Sequence, residues 1–403
     1  MRLLKTIISL LLFFCATSVV AQSCDMIPEL IRRVQVEYID KGLYEEALER
    51  LDKIHDYEGL SKCSNIKLVD DKIQEVQKTV LGLVRKGAEI KNAIDAIQAD
   101  YVDKGLIEDA IRRLSSLRND RNYRGCPALT QVDSKLFELR ETIHRQNYSS
   151  SNKTFTVKGV QFTMVAVNGG TFMMGSDDKD ADGMEGPAHE VTLSSYMLGE
   201  TEVTQALWQA VMGKNPAEFA SNPQNPVENV SWEDCQVFVE SLNALTADQR
   251  PAGRKFRLPT EAEWEFAARG GRKSQNYPYI GGEYNDLESL AWFFRNSGDH
   301  AINGIFDWSE IQANHCIPHP VKTKRANELG LYDMGGNVWE WCQDFMGNYT
   351  PDLQINPTGV ETGLSRVTRG GNYEYHETFL RASYRYKQRP EVRYKSIGFR
   401  LAL

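Results

Sequence analysis

The chain is 403 residues long, 41% hydrophobic and 25% charged, with 47 basic against 55 acidic side chains and a formal charge of −8. That is the composition of a soluble globular protein with room for two or three domains. No run of basic residues offers a nucleic-acid footprint, and only the N-terminus is apolar enough to be considered as a membrane span.

The N-terminal stretch MRLLKTIISLLLFFCATSVVAQ sets Arg2 and Lys5 ahead of an apolar run that ends in small residues at Val19 and Ala21. Residues 1–21 therefore read as a secretory signal peptide cleaved after Ala21. An uncleaved anchor is the weaker reading, because the run barely reaches the ~20 residues of a span and contains Ala16, Thr17 and Ser18. The expected location is exported, periplasmic or secreted, with no integral membrane span after cleavage. Cys24 follows the cleavage site, but Gln22 makes a poor lipobox, so a lipoprotein at Cys24 is the lesser expectation. The other cysteines of the mature chain are Cys63, Cys126, Cys235, Cys316 and Cys342. Export opens them to disulfide formation, and the lack of any CxxC argues against zinc.

Residues 22–145 carry a duplication. YIDKGLYEEALERLDKI begins at Tyr38 and YVDKGLIEDAIRRLSSL at Tyr101, an offset of 63 that Cys63/Cys126 and Asp70/Asp133 share. Each copy reads as helix, Gly-containing turn, helix. Ala47, Leu48 and Leu51 recur at helical spacing, and Ala110, Ile111 and Leu114 match them. Gly42 and Gly105 suit a left-handed residue after a helix end. A second amphipathic stretch runs from Ile66 to Val84. The wording GLYEEALERL resembles tetratricopeptide-type hairpins, though the spacing is longer. This resemblance implies a docking scaffold for an envelope protein partner, or else a helical spacer. Cys63 and Cys126 occupy equivalent loops and can pair with each other, or Cys63 can pair with Cys24. Residues 146–154, rich in Ser and Asn, read as a linker.

From Phe155 the texture becomes Gly-, Trp- and Tyr-rich. FTMVAVNGGTFMMGS alternates apolar residues about a Gly-Gly pair, with Val165 and Val167 before it and Phe172 and Met174 after it, and predicts a β-hairpin. HEVTLSSYMLGETEVT keeps strand character. Thr204 caps a short helix that stops at Gly213. Ser231 with Asp234, and Thr260 with Glu263, form capping boxes for two more. Glu261, Glu263 and Glu265 read as structural residues rather than acids or bases. In GLYDMGGNVWEWCQD, Asp333, Asn337 and Glu340 supply oxygen ligands in a Gly-rich turn where Gly335 and Gly336 free the backbone. A solvated acidic turn beside a buried Trp pair reads the same residues without a metal.

Taken in order, GGTFMMGS, EVTQALWQAVMG, NPVENVSWEDCQVFVESLN, RLPTEAEWEFAARGG, ELGLYDMGGNVWEWCQD, RVTRGGNY and GFRLAL resemble the formylglycine-generating enzyme, or sulfatase-modifying factor, family over residues 155–403. The resemblance implies an α+β fold related to C-type lectins, with much irregular chain, behind an all-α repeat region. It also implies calcium held by the Asp333 side chain, the carbonyls of Gly336 and Val338, and the Glu340 side chain. The family's enzymes oxidise a sulfatase cysteine to formylglycine with copper bound by two cysteines. Here Tyr375 and Leu380 stand at those two positions and Asn372 replaces the usual serine, so no copper is expected. The expected pocket comprises Asn372, Tyr373, Tyr375, His376 and Arg381. Cys316 and Cys342 read as structural thiols or disulfide partners.

Three functions follow from the resemblance. The favoured one is a non-catalytic binding or scaffold module of the cell envelope. The second is a periplasmic oxidoreductase or maturation enzyme with a non-cysteine site. The third is a lectin-like receptor for a glycan or peptide, for which Tyr373, Tyr375, Tyr384 and Tyr386 would suit stacking, although the same spacings suit strand faces in a core.

Overall fold

The computed structural model describes residues 24–57, 60–145, 151–251 and 253–403. The expected signal peptide, and residues 146–150 of the expected linker, lie outside the described residues. The chain forms two compact units, Met1–Lys135 and Leu136–Leu403. Among the described residues no helix is long and apolar enough to cross a membrane.

The helices are α1 (Ile27–Glu37), α2 (Tyr44–His55), α3 (Lys67–Asp100), α4 (Ile107–Asn119) and α5 (Leu129–Arg145), and the boundary between the units falls within α5. Gly42 and Gly105 take φ of 75° and 76° at equivalent turns, as expected. The repeat is three-helical rather than two-helical. Helix α3 is continuous for 34 residues, so its first half closes one copy and its second half opens the next. Gly82 and Gly87 lie inside it without ending it, because an interior Gly costs a helix only about 1 kcal/mol. The first copy buries Ile27, Ala47, Leu51 and Val69; the second buries Ile90, Ala110, Ile111, Leu114 and Val132. Ile27 and Ile90 are one repeat apart, and each opens its copy's core.

The open choice of disulfide is decided for Cys24 and Cys63. Cys126 is a buried free thiol. The residue one repeat after Cys24 is Gly87, so Cys126 lacks the partner that Cys63 has. Its Sγ lies 3.8 Å from the carbonyl of Leu83, one turn before Gly87, and a Cβ on Gly87 would meet only Ala128 at 3.6 Å. Gly87→Cys is expected to form a second disulfide with Cys126 and to stabilise the chain by up to about 3 kcal/mol. Alkylation and mass spectrometry read this out; two alkylated thiols after oxidation would show that the copies do not superpose.

The second unit is α+β, as expected. One antiparallel sheet orders β1 (Lys153–Val157), β2 (Val160–Val167) and β5 (Tyr196–Gly199). A second orders β3 (Thr171–Met174), β4 (His189–Thr192) and β7 (Gln354–Ile355). The third has the order β10-β6-β8-β9, from β6 (Trp339–Phe345), β8 (Arg366–Arg369), β9 (Arg385–Gln388) and β10 (Ile397–Gly398). Between them lie α6 (Gln205–Met212), α7 (Trp232–Leu245), α8 (Glu261–Ala268), α9 (Leu287–Leu290) and α10 (Trp308–Ala313).

The predicted hairpin about Gly169 and Gly170 is corrected. Strand β2 pairs with β1 and β5, whereas β3 pairs with β4. A Cβ on Gly169 would meet the Leu193 carbonyl oxygen at 2.3 Å. The Gly pair is there for a close backbone approach that passes the chain from one sheet to another.

The helix signals hold. Thr204 accepts the Leu207 N–H, Gly213 is left-handed at φ 79°, and both capping boxes form. Glu261, Glu263 and Glu265 are ion-paired with Arg385, Arg257 and Arg369 respectively.

Candidate functional site

The site is built where β8 ends. Gly370 and Gly371 take φ of 97° and 77°. A Cβ on Gly371 would meet Leu380 Cδ2 at 2.7 Å, so this turn needs glycine. It is bonded directly to the Gly-rich turn: Gly336 N–H donates to Gly370 O at 2.8 Å, and Tyr373 N–H to Asn337 O at 2.9 Å. Arg369, wholly buried, anchors the base through Glu265 and the carbonyls of Ala382 and Tyr384.

The five expected pocket residues do not share one open cavity. Asn372 is buried, its Oδ1 accepting the Glu374 N–H while its Nδ2 has no partner. Tyr373 is buried in an apolar cluster with Phe293, Phe294 and Leu380. Arg381 is committed elsewhere, donating to Glu185 and to the Asp180 carbonyl. Tyr375, His376 and Arg381 are half-buried, and of these Tyr375 and His376 are not tied up in an ion pair with Glu185. The His376 ring stacks on Phe294 at 5.8 Å and 12°. Of the tyrosines expected to stack on a ligand, Tyr373 and Tyr384 are buried, while Tyr386 is exposed.

Around Tyr375 lies a run of rings. Its centroid is 5.5 Å from Trp308, 6.1 Å from Trp339 and 4.9 Å from Phe379. Trp339 in turn stacks on Tyr386 at 5.7 Å. Beside it, Glu377 is buried, and its Oε1 accepts from Tyr284 Oη at 2.7 Å and Arg295 Nη2 at 3.3 Å. Burial opposes ionisation of Glu377, but the Tyr284 hydrogen bond and the nearby His376 and Arg295 hold its carboxyl below the usual value. Sequence reasoning missed Trp308 and Glu377. Trp308 lies in WFFRNSGDHAINGIFDWSE, a stretch without a readable register; Glu377 adjoins Tyr375 and His376 but has partners far away in sequence.

The expected calcium residues surround a second centre. Asp333 and Asn337 are left-handed, at φ 54° and 56°, with Gly336 at 76°. Asp333 Oδ2 accepts the Lys322 N–H at 2.7 Å, while its Oδ1 is buried and unpartnered. Glu340 accepts from Arg400 on both oxygens at 2.6 Å, and from Trp264 Nε1 at 2.7 Å. Glu202 is a third carboxylate that the sequence did not single out. It accepts the Val338 N–H at 3.0 Å and the Asn337 side-chain amide at 2.7 Å. Burial, then Asp333 and Glu340, raise Glu202 well above the carboxylate range. Burial pushes Asp333 up to about 6.

These residues fit a divalent ion. Glu202, Asp333 and Glu340 all face the buried Arg400, and Asp333 Oδ1 is an orphaned buried acceptor open to a cation. Among the described residues no three His, Cys, Asp or Glu side chains converge as a metal site. An ion here would therefore lean on the Gly336 and Val338 carbonyls as calcium does.

Three small sheets, short capped helices and an Arg-Gly-Gly turn locked to a Gly-Gly-Asn turn define a sulfatase-modifying-factor type of domain. The chain belongs to that family: residues 150–403 match the sulfatase-modifying factor enzyme 1-like domain. It is 32% identical to a formylglycine-generating enzyme of Thermomonospora curvata, over 59% of this chain and 92% of that one. It is 35% identical to the chaperone protein LppX of Paenibacillus barcinonensis, over 45% of this chain and 71% of that one. Among solved structures, Treponema denticola variable protein 1 superposes with a TM-score of 0.54 at 33% identity, over 63% of this chain and 99% of that one. PvdO from Pseudomonas aeruginosa gives 0.50 at 23% identity, over 63% and 98%, a likeness of fold alone.

Proposed function

We propose that the C-terminal domain is an exported, non-catalytic binding module on the sulfatase-modifying-factor fold. The observation that carries this reading is what stands at the two copper-thiolate positions. Leu380 is sealed in an apolar cluster, and Tyr375 belongs to a packed run of rings. Neither offers the sulfur that Cu(I) requires. Cys316 and Cys342 are buried free thiols on other segments. Burial pushes both thiols up, away from the thiolate that would bind a metal or attack a substrate. Kinship with a relative named as a chaperone fits a module that grips rather than converts its client. The helical repeats then serve as a second docking surface, for a protein partner of the cell envelope.

Calcium is the ion we assign to the 333–340 turn. Asp333, the Gly336 and Val338 carbonyls and Glu340 would hold it, and Glu202 would fix the turn from behind. When bound, it supplies charge balance and rigidity to the turn that carries Asn337 and, through it, Tyr373.

The test uses the mature protein with copper, oxygen and a sulfatase-type cysteine peptide. Mass spectrometry should find the peptide unmodified; its conversion to an aldehyde would refute the non-catalytic reading. In parallel, the melting temperature should be higher in calcium than in chelator. Identical melting in both would remove calcium from the turn.

A further inference from the structure

Residues 299–314 form a loop that closes on itself. The Asp299 N–H donates to the Asn314 carbonyl at 2.9 Å. The buried Asn314 side chain grips His300 twice, its Oδ1 accepting the His300 N–H at 3.0 Å and its Nδ2 donating to the His300 carbonyl at 2.8 Å. A surface loop whose ends meet and whose own side chains pack it is a compact unit on a narrow base. Ile302 and Ile311 anchor it, both buried in the apolar cluster of Phe293, Phe294, Tyr373 and Leu380. At the tip the burial is reversed: Ile305 is 87% exposed and Trp308 45%.

The tip lies across Tyr375 and His376. Phe306 meets Phe294 at 5.3 Å and 72°, and His376 at 5.8 Å and 77°. Trp308 meets Tyr375 at 5.5 Å and 84°. All three contacts are edge to face, the way aromatic side chains pack when they fill each other's space. Phe294, on which Phe306 packs, is wholly buried. Tyr375 stands at one of the two positions that the family's enzymes give to cysteine, so the loop's own rings occupy the approach to that position.

Arg295 fastens the tip. Its Nη1 donates to the carbonyls of Ile302 at 3.3 Å and Gly304 at 3.0 Å, and its Nη2 to Glu377 Oε1 at 3.3 Å. Two of these three bonds are longer than the usual N–H···O range, so the tip is held more loosely than the Asn314 base. Glu377 Oε2 lies 3.4 Å from His376 Nε2 and is buried without a hydrogen-bond partner. We infer that loop 299–314 is a hinged cap: it turns about the Asn314 clasp, Arg295 is its latch, and opening lifts Phe306 and Trp308 off His376 and Tyr375. The inference rests on the binding-module reading, whose site the cap regulates. Because the latch ends on Glu377, a ligand that engages Glu377 or Arg295 beside Tyr375 favours the open cap as it binds.

Hydrogen exchange of the mature protein should show the amides of residues 300–310 exchanging together, and faster than those of β8, through an opening that leaves the sheet closed. Arg295→Met cuts the latch and keeps the rings. It should speed the cap amides roughly fivefold or more, the shift that losing one or two net hydrogen bonds gives a two-state opening, and leave β8 unchanged. Trp308→Ala tests the cap without touching the latch. Hydroxyl-radical footprinting should then find Phe294 oxidised, although the cap ring packed on Phe294 is Phe306, which this variant keeps. Trp308→Phe, which restores a ring, should return much of the protection. Cap amides as slow as those of β8 in both wild type and Arg295→Met would overturn the inference. So would a Phe294 that stays protected in Trp308→Ala, or an Arg295→Met effect that extends equally to β8, because the chain would then be unfolding rather than opening a cap. Each of these results removes the regulation and leaves the binding module, which the copper assay tests separately.

Discussion

Arg400→Met is expected to destabilise the folded chain by about 3–5 kcal/mol, the range for breaking a buried ion pair from one side. Arg400 is wholly buried. It donates to both Glu340 oxygens and to the carbonyls of Gly199, Tyr332 and Asp333. Methionine keeps much of the volume but leaves Glu202, Asp333 and Glu340 with no buried cation among them. Urea denaturation should show a lower midpoint at unchanged slope. The double variant Arg400→Met with Glu340→Leu should recover part of the loss, because no charge is then left unpaired at this pair. A wild-type midpoint for Arg400→Met would show that the guanidinium does not hold this turn. Glu340→Gln should cost less than Arg400→Met, because the amide still offers an oxygen to Arg400.

The second large effect is a pH dependence. Asp344 is a buried residue of β6, with its Oδ2 accepting the Glu261 N–H at 2.9 Å. Burial, and then the Glu261 charge, push its carboxyl up to about 8. In the unfolded chain it ionises near the ordinary value of about 3.9. Below that value both states hold the proton and nothing is lost. As the pH rises, the unfolded chain gives up the proton first, so stability falls until the folded carboxyl ionises as well. The loss is at most about 1.4 kcal/mol per pH unit over that window. Asp344→Asn keeps an oxygen for the Glu261 N–H and cannot ionise. Relative to wild type it should gain several kcal/mol between pH 4 and pH 8. Urea midpoints at pH 4, 6 and 8 measure the difference; parallel curves for the two proteins would show that Asp344 is not held protonated.

What the sequence made legible was mostly local. A capping box needs only Ser231 and Asp234, or Thr260 and Glu263, within one turn, so short-range pattern is enough to find it. The Arg-Gly-Gly turn was recognised through the family motif RVTRGGNY, and the left-handed backbone of Gly370 and Gly371 explains why glycine stands there. Strand partners were not readable in the same way. Gly169 is required by the Leu193 carbonyl, and the same alternation of apolar residues serves a hairpin or a crossover. Arg381 looked free for a ligand because its partner Glu185 lies 196 residues away in sequence. Glu202 was invisible for the same reason: its donors, Asn337 and Val338, arrive from another part of the chain. Trp308 and Trp339 reach Tyr375, edge to face, only once the chain has folded.

The continuous helix α3 has a further consequence. An α-helix turns by roughly 100° with every residue. The two copies of the repeat therefore share a fixed phase, set by the number of residues between Val76 in one core and Ile90 in the next. A residue inserted after Val84 would leave each copy's own helices intact in sequence, yet swing the second copy's packing face by more than a quarter of a turn. In this protein the count of residues in one helix is itself a structural parameter, fixed by the two cores that the helix joins.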